Sequence, residues 1–183
     1  MAMTTLRNQF LIAMPHLKDP NFEATISYIC DHGEEGAMGI VINRPLGLMV
    51  GDMLEQLELG ESKIDKPVYS GGPVQMERGF VLHSAGDEWQ SSMAISADIC
   101  VTTSKDILQA MASGHGPEDS LIALGYAGWG AGQLEQEIAN NVWITCPADS
   151  AIMFNTVDDQ KVVAALGRVG IDYHRLISGA GHA

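Results

Sequence analysis

"PVYSGGPVQMERGFVLHSAGDEWQSSMAISADICVTT", residues Pro67–Thr103, holds four strand-like pieces and no helical period. Pro67–Val74, Gly79–His83, Ser91–Ser96 and Ile99–Thr103 are short, and only turn-like segments such as Ser96-Ala97-Asp98 separate them. Strict alternation of strand and helix would predict a doubly wound parallel sheet. Strands in succession point instead to an α+β fold whose antiparallel or mixed sheet curls on itself.

Outward from this stretch the pattern changes. Asn8–Met14 reads as a strand, and Asp19 and Pro20 then offer an N-cap and a first helical position. Phe22, Ile26, Ile29 and Cys30 follow on one helical face, with Gly33 as terminator. Gly39–Asn43, apolar until its end, suits a central strand. Helices are expected over Val50–Leu59, from a Ser104 cap to Gly114, over Gly132–Asn140 and over Thr156–Val169, giving about five in all. Ser120–Ala127, Val142–Cys146 and Ala151–Phe154 read as extended. With no repeat or linker, residues 1–183 form a single domain, residues 1–7 and 178–183 being flexible ends.

The balance of 23 acidic against 10 basic residues gives −13, split evenly as −7 over residues 1–90 and −6 over residues 91–183. Nucleic-acid binding needs clustered cations, and Lys63 with Lys66 is the nearest approach to one. Neither direct nucleic-acid contact nor an anionic membrane surface is therefore expected. No apolar run can span a bilayer, no export signal is recognisable at Met1–Gln9, and Cys30, Cys100 and Cys146 form no CxxC. Reduced core thiols in a cytoplasmic protein are the natural reading, with Cys146 the best placed for exposure.

"GYAGWGAGQLEQEI", Gly125–Ile138, looks like a glycine-rich loop opening a helix. Such helix starts attract anions, but the spacing matches no phosphate motif, and Glu135 and Glu137 already occupy the positive end. A tight connection with Tyr126 and Trp129 on the core is favoured over a bound phosphate. Arg44, in "INRP", is held extended by Pro45 and is expected to pair with Glu135 or Glu137. Ser70 lacks a nucleophile-elbow context. His32, placed at a helix end with Asp31, Glu34 and Glu35, has no metal-ligand spacing, and His83 has no evident nucleophile to serve. No metal, cofactor or catalytic residue is assigned.

Phe10–Phe22, Gly36–Pro45, Ser70–Val74, Arg78–His83, Gly125–Ile138 and Asn141–Ile144 together resemble the AlgH/YqgE family of bacterial proteins over nearly the whole chain. The resemblance implies a bifurcated sheet folded into a pseudo-barrel. It carries no established biochemical activity, and the family's association with alginate production underlies its label as a transcriptional regulator. Given the charge, the expectation is a cytoplasmic binding or interaction protein acting indirectly through an unidentified protein or small-molecule partner, with a monomer favoured. Its surface would comprise Asn43, Arg44, Pro45, Ser70, Gly71, Gly72, Pro73, Gly125, Gly128, Trp129, Gln133, Glu135 and Glu137. The alternative is a hydrolase-like enzyme for a small polar substrate, using Glu135 or Glu137 as base with Arg44 or Asn43 as positioning groups.

Overall fold

The quoted stretch is strand-rich, and in the computed structural model it supplies four strands of one curled ten-stranded sheet, three of them forming one end of it. Residues 5–62 and 64–180 are described. The strands are β1 (Gln9–Ala13), β2 (Ile26–Gly33), β3 (Gly36–Val41), β4 (Pro45–Met49), β5 (Pro67–Ser70), β6 (Val74–Ser84), β7 (Ser92–Ala94), β8 (Ile99–Thr102), β9 (Ser120–Gly130) and β10 (Trp143–Pro147). The helices are α1 (Val50–Gln56), α2 (Asp106–Ala112), α3 (Gln133–Ala139), α4 (Ser150–Asn155), α5 (Lys161–Arg168) and α6 (Tyr173–Ala180). This is the α+β class expected.

The sheet runs β10-β1-β2-β3-β9-β6-β8-β7, and it forks at β9. Along one edge β9 pairs first with β5, in parallel at Ala123 and Leu124, and then with β3, antiparallel from Ala127 to Gly130. Along the other edge β6 is antiparallel to it up to the Val74–Tyr126 pair. The exchange of partners happens at Gly125, where chains meet backbone to backbone. A Cβ on Gly125 would stand 2.4 Å from Gly72 O, and one on Gly71 would stand 2.3 Å from Gly125 O. Gly71 ties the fork, its N–H donating to Leu124 O and its carbonyl accepting from Val41 N–H. Only glycine tolerates such an approach, which explains both the Gly71-Gly72 pair and Gly125.

Three buried clusters hold the layers. The inner one joins Phe10, Tyr28, Ile40, Phe80 and Leu82 to Ile152, Val162 and Leu166 of α4 and α5. A second seats α1 and α2 on Val81 and Ile122, and a third gathers Trp129, Trp143 and Leu134.

Several sequence expectations are corrected. No helix covers Phe22–Cys30. Asp19 supports one turn, its Oδ1 accepting from Asn21 N–H, and Ala24 in the left-handed region (φ 60°) ends it. Thr25–Cys30 is buried without a break, and its β-branched and aromatic side chains suit a strand covered on both faces. Ala151–Phe154 is helical because Asp149 caps α4 by accepting from Ile152 N–H at 2.9 Å. Gly125–Gly130 is strand, with buried Ala127 and Trp129 alternating with exposed Gly128 and Gly130. The Ser104 hydroxyl donates to Asp106 instead of capping α2. At the ends, residues 1–4 and 181–183 lie outside the described set, Arg7 Nη2 reaches Ala94 O at 2.7 Å, and α6 continues to Ala180.

Candidate binding site

Where β6 leaves β9, the two arms of the fork enclose a cavity of about 620 Å3, within the span usual for ligand sites (about 300–1,000 Å3). One wall is the β2–β3 hairpin, with Asp31 and Glu35 at its lip and Met38 below. The floor is Tyr126 and Gly128 of β9, and the far wall is Arg78, Phe80 and Val101. Two irregularities shape it. Cys30 is the extra residue between the Ile29–Gly39 and Asp31–Met38 pairs, a bulge that turns the hairpin lip. Gln75–Arg78 form a larger bulge between the Val74–Tyr126 and Gly79–Leu124 pairs, with Gln75 at φ 47°.

That second bulge sets Arg78 on the lip. Its guanidinium lies 5.2 Å from the Phe80 ring centroid, and Phe80 meets Tyr126 edge-on at 5.7 Å. The side chain is exposed, its one hydrogen bond is a long contact (3.5 Å) to Gln75 Oε1, and no described carboxylate lies within ion-pair range. Its fork of donors is open to a ligand. Cys30, at the base, is not a nucleophile at neutral pH, since burial pushes its thiol up to about 12.

Most of the residues expected to form a surface make contacts within the fold instead. Arg44 meets neither glutamate. It grips three carbonyls of the 20–23 turn, those of Pro20 (2.9 Å), Asn21 (2.7 Å) and Glu23 (2.7 Å). Asn43 accepts from Ile26 N–H and donates to Ala24 O, fixing the same turn. Phe22, inside that turn, packs on Trp129 and Trp143. Glu137 Oε1 then accepts both indole N–H groups, at 3.1 and 2.9 Å, while Gln133 donates to Oε2. Glu135 accepts from His32 Nε2 at 2.6 Å, and His32 Nδ1 accepts Leu6 N–H, which fixes the tautomer. His32 is thus a strand residue with a buried side chain, not a helix-end one. Pro45 pairs opposite Tyr69 at an exposed strand start, Ser70 closes β5, and Pro73 is exposed beyond Gly72. Of the thirteen, Gly128 and Trp129 line the cavity.

Cys146 is fully buried, contrary to expectation, because β10 turns it into the inner cluster, and Cys100 is half-buried. A group missed in the sequence is Lys161, 1% exposed. Its Nζ donates to Ile42 O (2.7 Å) and pairs with Asp158 (3.0 Å), over the face of Tyr69 at 4.7 Å. Tyr69 O–H donates to the same Asp158 oxygen at 2.6 Å. Burial lowers the lysine and raises the tyrosine from their usual values, and none of the cluster's buried polar atoms lacks a partner, so the cluster staples α5 to the sheet. The signal was present, as Lys161 falls on the apolar face of α5 with Val162, Ala165 and Leu166. Among the described residues no three His, Cys, Asp or Glu converge on a metal position.

The profile of the AlgH-like family matches residues 10–174. The chain belongs to the AlgH-like family. It is 75% identical to a UPF0301 protein of Hahella chejuensis, across 100% of this chain and 98% of that one. It is 50% identical to the UPF0301 protein AlgH of Pseudomonas aeruginosa, across 98% and 97% of the two chains. The solution structure of the P. aeruginosa AlgH protein superposes with a TM-score of 0.79 at 48% identity over both full chains. A crystal structure from Corynebacterium diphtheriae shares the fold at 18% identity, with a TM-score of 0.69 over 88% of this chain and 85% of that one. The forked AlgH-like sheet is therefore the scaffold on which the cavity is built.

Proposed function

We propose that this AlgH-like chain is a cytoplasmic binding protein with an indirect regulatory role, and that it captures its ligand in the cavity of the forked sheet. The observation that carries this reading is the open Arg78 guanidinium, stacked on Phe80 in a cavity that Asp31 and Glu35 also line. Such a concave, mainly apolar site with a few convergent charges is the usual form of a small-ligand or peptide receptor. The charge distribution supports a partner other than nucleic acid. Arg44, Arg168 and Lys161 are engaged within the chain, which leaves fewer cations free to offset the overall −13. No helix among the described residues is long and apolar enough to cross a membrane.

The hydrolase alternative is the weaker reading, because Glu135 and Glu137 spend their oxygens on His32, two indoles and Gln133, and Arg44 lies on another turn. A 1H–15N titration with a collection of small apolar and carboxylate-bearing compounds tests the proposal. Shifts should gather on Met38, Phe80, Tyr126 and Met93 and vanish in Gly128→Leu, whose Cβ has open space, Tyr126 Cε2 at 3.6 Å being its nearest neighbour. Shifts that persist in a folded Gly128→Leu protein, or that gather elsewhere, refute it.

A further inference from the structure

The cavity borders an unfinished strand edge. β9 continues to Gly130, yet β6 departs after the Val74–Tyr126 pair, and no described strand lies opposite Ala127–Gly130 on that side. Gly130 N–H donates to the Gln133 side chain, so it points away from β3. By the two-residue alternation of a strand, Gly128 presents its N–H and C=O on the same open edge. Gly128 is exposed and lines the cavity.

The charges have a direction along this edge. Arg78 belongs to the end where β6 peels off, near Tyr126, through its stack on Phe80. Glu35 belongs to the other end, because its neighbour Gly36 pairs with Gly130, while Asp31, paired with Met38, stands at the Gly128 register. A chain lying antiparallel to β9 would resume the course that β6 abandons. Its C-terminus would then arrive at the guanidinium and its N-terminal part at the acidic lip.

We infer that the cavity receives an extended peptide with a free C-terminal carboxylate, added as a strand to the Ala127–Gly130 edge of β9, its carboxylate held by Arg78. The inference rests on the cavity being a ligand site and names the ligand. Main-chain bonds to Gly128 supply sequence-tolerant affinity, the paired guanidinium contact selects the chain terminus, and alternate apolar side chains enter between Met38, Phe80 and Tyr126. At about 3.4 Å per residue the edge accommodates about four residues of a bound strand. A phosphate dianion fits less well, since the facing lip is itself acidic.

The test uses the full chain and a pool of pentapeptides with alternating apolar residues, prepared once with free carboxylates and once C-amidated. The expected result is binding of the acids, at least ten-fold weaker binding of the amides, and slowed hydrogen exchange at the Gly128 amide in the complex. Arg78→Gln, a surface change, should bring acids and amides to equal affinity. Equal binding of both pools to the wild type overturns the inference, as does binding that leaves Gly128 exchange unaltered. Should neither pool bind while small apolar compounds still shift Tyr126 and Met38, the peptide inference fails and the cavity reading survives. Should those compounds fail too, both fall. A dimer in sedimentation that protects Gly128 without peptide gives the edge to a second copy and likewise overturns the inference.

Discussion

Replacing Glu137 by alanine removes the one carboxylate that ties the motif helix to two tryptophans. Its Oε1 accepts from Trp129 Nε1 at 3.1 Å and from Trp143 Nε1 at 2.9 Å, and both rings are at least 94% buried. A hydrogen bond to a charged group contributes about 1.5–3 kcal/mol, and a buried donor left without a partner costs about 1–3 kcal/mol. Solvent reaches the carboxylate side, so the low end applies to each indole, and the exposed Gln133 contact adds little. Glu137→Ala should therefore lose about 3 kcal/mol, which for a domain of this size lowers the melting temperature by about 6–12 °C. Glu137→Gln keeps an acceptor oxygen for the indoles and should lose only about 1 kcal/mol. Urea unfolding followed by tryptophan fluorescence measures both, and the slope with denaturant should stay constant. The two indole N–H resonances should also move upfield in the alanine variant. A Glu137→Ala protein within about 0.5 kcal/mol of wild type would refute the structural assignment. The glutamate would then be free for ligand or catalytic work.

The glycines of the motif should divide sharply. Gly125→Ala forces a Cβ to 2.4 Å from Gly72 O at φ 81°, so soluble folded protein should be lost, whereas Gly128→Ala should melt within a few degrees of wild type. His83 gives a pH test. Its Nδ1 faces Ser84 O and its Nε2 accepts from Thr102, and burial holds the ring below the usual histidine range, the Ser84 carbonyl opposing. A depressed folded value means the unfolded chain takes up the proton first. Stability is thus full above about pH 6.5 and falls as pH drops through the folded value. Urea midpoints measured from pH 7 to pH 5 should decline less steeply in His83→Gln than in wild type, and an unchanged decline would exclude His83 as the source.

The α+β class was legible because "GFVLH" and "ICVTT" carry strand residues between turns with no room for a helix. The Phe22–Cys30 error has a clear origin. Apolar residues at helical spacing also occur in a strand buried on both faces, so period alone does not separate the two, whereas the run Thr25-Ile26-Ser27-Tyr28-Ile29 favours β. Asp149, a cap at the right distance before Ile152, would have identified α4. The glycine block misled for a different reason. Its glycines serve contacts with residues some fifty positions away, and no local rule reports that Gly125 must pass against Gly72. The cavity was the least legible feature. Arg78 matters through a bulge whose existence depends on β6 and β9 parting, a relation between two strands that neither sequence segment states alone.

The fork and the cavity have a single cause. A sheet in which β3 and β5 take successive turns at one edge of β9 must splay after the exchange, because each strand brings its own right-handed twist. On the opposite edge β6 follows the β5 arm, not the β3 arm, and so leaves Ala127–Gly130 bare. The same backbone crossing that excludes side chains at Gly71, Gly72 and Gly125 thus opens the groove beside Gly128. On the peptide proposal, the glycine-rich block sets up the open edge by geometry, and its carboxylates serve the fold. Arg44 and Asn43 fix the turn that carries Phe22, and Phe22 backs Trp129 from the far side of the sheet. On the same proposal their part is the rigidity of β9, so variants there should weaken ligand capture in proportion to lost stability, while Arg78 variants should weaken it with stability intact.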